Sequence, residues 1–403
     1  MAWRDWLRLS PSRERFAREL VRQLSDRGAA GWSYDPGESA LVHTDARKFF
    51  LNNAWREYSG AAGSARRALV EKYVNVLLSA DGRIEELWEV AATRLYTCVR
   101  SRYGLVSLEI NSRGTSNSVP RPLAKRWHRD LDIVLMYDLG PSLFGVTADA
   151  AAPWGQTLDD IFARAQGNLS ALDRPSWQDV GGGVLQLVSD VSFEESFVLV
   201  PDVWTSLEVK GSPVVAVPNR GVLLVTGADD PAAVLRLVDE AQRSMQQRPW
   251  PLSATLLQRF GNDWQPFQPD SRTASAARTF ELVSLAITHA EQKQALEKHF
   301  ERQNVDVFVA AFDLLQGESG TDGIQSWCSW AEGVESLLPM TDVVILGRRD
   351  ENIPAVVVPW RDVARLCSRH MQATDDDPPR FRVNSFPVEE WREIESIGRT
   401  LTL

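Results

Sequence analysis

Asp130 and Asp132 are two carboxylates one residue apart at the start of the apolar run LDIVLMYD, residues 131–138. Side chains on a strand alternate between its faces, so this spacing puts both acids on one side, where they could share a Mg²⁺ ion on a triphosphate. Arg113-Gly114-Thr115 lies upstream, and a Gly turn lets backbone N–H groups approach phosphate oxygens. The competing reading makes both acids the solvated start of a core strand. Arg94, Tyr96 and Arg100 recur at even spacing on a second apolar run. They share a face that could meet an anion, or simply face solvent. Trp327 and Trp330 are read as two indoles on one strand face with Cys328 opposite, serving either as a binding platform or as core. The acidic run 375–377, ahead of Pro378-Pro379, suits a cation, a basic partner or plain solvation.

Other chemistries lack their residues. The five histidines are scattered, and His289 and His299, ten apart on one helix, do not share a face. There is no GxSxG segment for a nucleophilic serine. The triple Gly at 181–183 lacks the strand–GxGxxG–helix context of a dinucleotide site. Cys98, Cys328 and Cys367 form no CxxC or Cys/His pattern, so neither a zinc site nor a disulfide framework is expected. No metal, no cofactor and no catalytic residue is assigned. The one enzymatic alternative is Asp130 with Asp132, because the segment 112–138 resembles polymerase-β-type nucleotidyltransferases. It departs from them where Glu109-Ile110 replaces the expected Gly-Ser, and in the long gap from Gly114 to Asp130.

The elements that must position these residues are read from periodicity and stop signals. Pro11 opens a helix whose Phe16, Leu20, Val21 and Leu24 form one stripe, ended by Gly28. A hairpin around 32–43 and helices near 45–58, 64–79 and 83–92 follow. Strands are expected at 95–100, 105–110, 131–137, 143–147, 184–189, 213–217 and 221–226, with a helix over 157–172. Asp230-Pro231 starts another helix, and a hairpin closes around Gly261-Asn262-Asp263. Residues 268–275 read as a linker to a long helix from about 277 to 303. The expected class is α+β: mixed sheets with packed helices, since the elements do not alternate strictly as βαβ. Four regions result: a helical and hairpin region at 1–92, an α+β body at 93–268, linker and connector helix at 269–304, and a Trp-rich α+β domain at 305–403.

The middle of the chain carries TRLYTCVRS (93–101), LDIVLMYDLG (131–140), DDIFARAQGNL (159–169), FVLVPDVW (197–204), VVAVPNRGVLLVTG (214–227), the Pro-Leu-Ser turn at 251–253 and FGNDWQPF (260–267). In this order they resemble the bacterial YtpQ-like family, domain of unknown function 1444, over about residues 10–268. Thr97, where the family tends to Pro, and the long loop at 111–122 depart from its pattern. The resemblance implies an architecture and no activity, and it leaves 305–403 unassigned.

Bulk composition narrows the class. Of 403 residues 44% are hydrophobic and 24% charged, which is globular. No window approaches the ~20 apolar residues that span a bilayer, and the first fifteen residues have no signal-peptide core. The net charge of −10 divides unevenly, with 18 Lys+Arg against 14 Asp+Glu over residues 1–120 and 26 against 40 thereafter. That balance argues against a nucleic-acid partner. The 15 Trp residues are the anomaly, because Trp is enriched at interfaces. The expectation is a non-catalytic cytoplasmic adaptor that binds a protein partner through Trp327, Trp330 and the Arg94/Arg100 face, with no membrane contact.

Overall fold

The structure is a computed structural model that describes residues 12–37, 39–44, 48–79, 84–113, 120–140, 142–191, 193–316, 323–350 and 352–400. It is α+β, with antiparallel and mixed sheets and helices packed on them.

Near the N-terminus, Ser12 accepts the Arg15 N–H and caps helix Arg13–Asp26. Phe16, Leu20 and Leu24 on its inner face pack on Leu41 and Leu51 of a three-stranded sheet region and on Tyr73 and Val74 of helix Gly63–Ser79. The body that follows has two sheets. In the first, Leu95–Ser101 pairs antiparallel with Leu131–Asp138, which also holds Ala124–Arg126 and Leu143–Gly145. Helix Leu158–Ser170 lies on Leu95–Ser101, where Asn168 donates to the Ala92 and Leu95 carbonyls.

The second sheet has six antiparallel strands in the order Asp263–Pro266, Leu257–Phe260, Pro213–Ala216, Leu224–Gly227, Val184–Val188 and Ser176–Gly181. Its central strands Pro213–Ala216 and Leu224–Gly227 are apolar on both sides because both sides are covered. Val214, Leu224 and Val184 meet Val234, Leu237 and Val238 of helix Pro231–Gln247. Val215, Val225 and Leu187 on the opposite face meet Val134 and Met136 of the first sheet, together with Phe197 from the 3₁₀ turn Glu194–Leu199.

Two expectations are corrected here. The strand expected at 105–110 lies inside helix Arg102–Ser112. Its buried Tyr103, Val106 and Ile110 follow helical spacing, and they meet the long helix and its neighbours rather than a sheet. The expected linker at 268–275 is largely the first turn of helix Ser271–Gln303, because Asp270 accepts the Thr273 N–H at 3.0 Å and caps it.

That helix carries the chain into two further sheets. One joins Asp313–Gln316, Ile324–Ala331, Val343–Gly347, Val356–Pro359 and Arg399–Thr400; the other joins Phe308–Val309, Ser336–Pro339, Arg380–Val383 and Met371–Ala373. Each contains a parallel pair beside antiparallel ones. No helix among the described residues is long and apolar enough to cross a membrane.

Candidate functional site

Three turns of the body converge on one pocket of about 380 Å³, within the size range of ligand and side-chain pockets. The first turn carries Trp127 and His128, whose N–H groups both donate to the Leu131 carbonyl, at 3.3 and 3.0 Å. This closes the reversal between Ala124–Arg126 and Leu131–Asp138. The second is the 3₁₀ turn Pro201–Trp204, with Pro at its first position. The third is the hairpin Leu257–Phe260/Asp263–Pro266, where Phe260 pairs with Asp263 and the loop is only Gly261-Asn262. Gly261 sits at φ +62°, a left-handed conformation that a residue with a Cβ adopts at a cost.

The pieces are locked to one another. Trp264 Nε1 donates to the Val198 carbonyl at 3.1 Å. Trp204 packs edge-on against Trp264 at 4.8 Å between ring centres and tilts on Trp177 at 5.5 Å. Arg259 places its guanidinium 5.8 Å from the Trp204 ring and donates to Asn262 Oδ1 at 3.2 Å. Burial holds the Arg259 pKa below its ordinary value and lowers that of His128. Trp204 Nε1 and His128 Nε2 are buried with no hydrogen-bond partner among the described residues, a state that ordinarily costs about 1–3 kcal/mol per group. Trp127 is half-buried, and Asn262, Asp263 and Gln265 are exposed on the rim.

The residues singled out from sequence lie elsewhere. Asp130 is buried; its carboxylate accepts from Ser253 Oγ at 2.6 Å and from Thr255 Oγ1 at 3.5 Å. Asp132 is buried and bound by Arg102, with Arg121 at 3.9 Å. The expected solvated strand start and the shared cation site are both corrected. The carboxylates have separate protein partners, and the space beside Asp130 is about 10 Å³, room for about one water and far too little for a triphosphate. Gly114 and Thr115 lie outside the described residues. Among the described residues no group of three or more His, Cys, Asp or Glu is placed to hold a metal.

Arg94 is exposed, just before the strand, while Arg100 is buried and donates to Glu195 Oε1 at 2.6 Å. The even spacing is real, but the strand's surroundings differ along its length, so the two guanidinium groups do not form one open face. Trp330 is 1% exposed, in the core with Cys328, and Trp327 is half-buried on the opposite side. The expected pair of indoles on one face is therefore corrected: positions three apart on a strand point to opposite faces. Burial pushes the Cys328 thiol up to about 11, which leaves it a poor nucleophile. The acidic run meets a basic partner within the chain. Asp376 pairs with Arg113 at 3.0 Å, and Asp377 lies 3.5 Å from Arg102.

The pocket itself was not assembled from sequence. Its local signals are Pro201 opening the turn that ends in Trp204 and Gly261-Asn262 just ahead of Trp264; nothing beside Trp127 marks it. Comparison with protein-family models, curated proteins and solved structures finds no significant match to this chain.

Proposed function

We propose that the chain is a non-catalytic interaction protein that holds an aromatic or proline-bearing segment of a partner polypeptide in the Trp127–Trp204–Trp264 pocket. The observation that carries this reading is the make-up of the pocket: an indole floor, one guanidinium and a polar rim. Trp and Arg dominate the energetics of protein interfaces, and a polar rim shields such a centre from water. The lining includes no Ser, Thr, Cys or Lys nucleophile, and His128 is held toward its neutral form. A cytoplasmic setting belongs to the same proposal. It is supported by three buried free thiols, the state favoured by a reducing compartment. The resemblance of residues 10–268 to the YtpQ-like family implies no activity and does not compete with a binding role.

The test is affinity capture of the tagged full-length protein from its native host. A stoichiometric protein partner is expected. Trp127→Ala should reduce its capture at least tenfold, because an interface anchor typically contributes 2 kcal/mol or more. Trp327→Ala, outside the pocket, should leave capture unchanged. A partner retained by the double variant Trp127→Ala/Arg259→Ala would overturn the proposal, and so would the absence of any partner.

A further inference from the structure

A second charged centre lies where the body meets the N-terminal helices. At its base Glu195 is buried with Arg100. Its Oε1 accepts from Arg100 Nη1 at 2.6 Å and its Oε2 from the Gly221 N–H at 2.8 Å, so both oxygens are engaged. Arg100 Nε is buried without an acceptor among the described residues. Beside this pair stands Arg220. Its guanidinium carbon lies 4.5 Å from the centre of the Trp250 ring, and its backbone N–H donates to the Trp250 carbonyl at 3.0 Å.

Trp250 is pinned in turn. It adopts φ +60°, uncommon for a residue with a Cβ, and its N–H donates to Asn53 Oδ1 at 3.0 Å. Arg56 donates to the Arg248 carbonyl at 3.2 Å, which ties helix Asn52–Gly60 to the same turn. Tyr73 of helix Gly63–Ser79 is close enough for its phenol to feel the Arg220 charge.

Arg220 is exposed to solvent, yet among the described residues no carboxylate reaches it and its side chain donates no hydrogen bond to protein. The Glu195 carboxylate that both guanidinium groups feel is already fully engaged. Although part of the residue is open to solvent, the packed surroundings of its guanidinium group, with the field of Arg100, lower the Arg220 pKa to about 9. With its guanidinium carbon over the Trp250 ring and, among the described residues, no protein acceptor on its side chain, Arg220 has N–H donors available, and such donors match the geometry of phosphate and carboxylate oxygens.

We infer that this recess binds the phosphate or carboxylate group of a small molecule, with Arg220 as the direct contact, Arg100 as the supporting charge and Trp250 as the residue that orients the fork. The site is independent of the aromatic pocket and does not rest on the interaction reading.

The experiment is thermal denaturation and titration calorimetry of the full-length protein with inorganic phosphate, pyrophosphate and citrate, against sodium chloride at matched ionic strength. At least one of the three oxyanions should raise the melting temperature beyond the chloride control, since a ligand that binds only the folded state stabilises it. A response to phosphate and pyrophosphate alone identifies a phosphoryl group; a response to citrate alone identifies a carboxylate. Arg220→Gln should weaken the affinity at least tenfold, and Arg220→Lys, which keeps the charge without the fork, should fall between. Arg361→Gln, an exposed arginine outside both sites, should match the wild type. Because the Arg220 side chain makes no ion pair and no hydrogen bond to protein among the described residues, these variants are expected to retain the wild-type melting temperature without ligand, which checks that they fold. No shift with any of the three anions beyond chloride, or an undiminished shift in Arg220→Gln, would overturn the inference.

Discussion

At position 130 a carboxylic acid is held away from water with hydroxyl groups as its partners and, among the described residues, no contacting cation. Asp130 is 7% exposed and accepts from Ser253 and Thr255, while the neighbouring Arg129 turns to Glu281 at 3.6 Å. Burial raises its pKa from 3.8 to about 6, a rise that the Ser253 hydrogen bond only partly offsets. A folded-state pKa above the unfolded value means that the folded chain holds this proton more tightly. The resulting stability is fully present below about pH 4 and is lost as the pH rises through about 6. The change is of order 2–3 kcal/mol. Asp130→Asn keeps an acceptor for Ser253 and removes the titration. Its urea midpoint should vary less between pH 4 and 7 than that of the wild type, and at pH 8 it should be at least as stable. An identical pH profile in the variant would show that Asp130 titrates normally.

Helix Arg102–Ser112 shows how a cap and tertiary neighbours override a local pattern. The stretch LVSLEI, residues 105–110, reads as a strand by residue type, yet it is helical. Ser101 Oγ accepts the Gly104 N–H at 3.3 Å and satisfies one of the free donors at the helix start. Tyr103 then meets Leu282 and Leu285, while Val106 and Ile110 meet Ala295 and Leu296, all four on helix Ser271–Gln303. Loss of such a cap costs about 1 kcal/mol. Ser101→Ala should lower the unfolding free energy by that amount, measured by urea titration, with the far-ultraviolet spectrum unchanged. A cost near zero would show that packing on the long helix alone holds this segment.

Across the whole molecule the body and the C-terminal sheets are joined by buried polar groups as well as by apolar contact. Arg380 is fully buried on the strand Arg380–Val383. It donates to Gln292 Oε1 at 2.6 Å, to the Ala310 and Leu337 carbonyls at 2.8 and 3.2 Å, and to the His289 carbonyl at 3.3 Å. Gln292 donates in turn to the Pro378 carbonyl at 2.8 Å. The loop after Pro378 thereby fixes the long helix, while Asp376 and Asp377 just before it reach Arg113 and Arg102 of the body. Arg380→Met would take one donor from each of four buried acceptors; the Leu337 carbonyl keeps the Ala310 N–H and Gln292 Oε1 keeps His289 Nδ1, while the Ala310 carbonyl loses the donor it has here. The variant should lose at least about 2 kcal/mol, and hydrogen exchange should speed up in residues 308–383 more than in Leu131–Asp138. Uniform exchange across the chain would show that the two parts unfold as one.

Features set by neighbouring residues were legible in the sequence. Phe16, Leu20 and Leu24 repeat with helical period, Asp230-Pro231 supplies a cap and a preset φ, and Gly261-Asn262 turns a hairpin; each needs only a few residues to act. The α+β class follows from counting such elements. Partnership was not legible, because it depends on which surfaces meet. Glu195 stands 95 positions from the Arg100 it neutralises, and Asp132 takes Arg102 from the facing strand's end. Trp327 and Trp330 looked alike as residue types, yet one is half-buried and the other is core, because the layer covering each strand face comes from distant chain. Trp127, Trp204 and Trp264 form a pocket only after two sheets have packed, since no local hydrogen bond or periodicity links three turns so far apart in the chain.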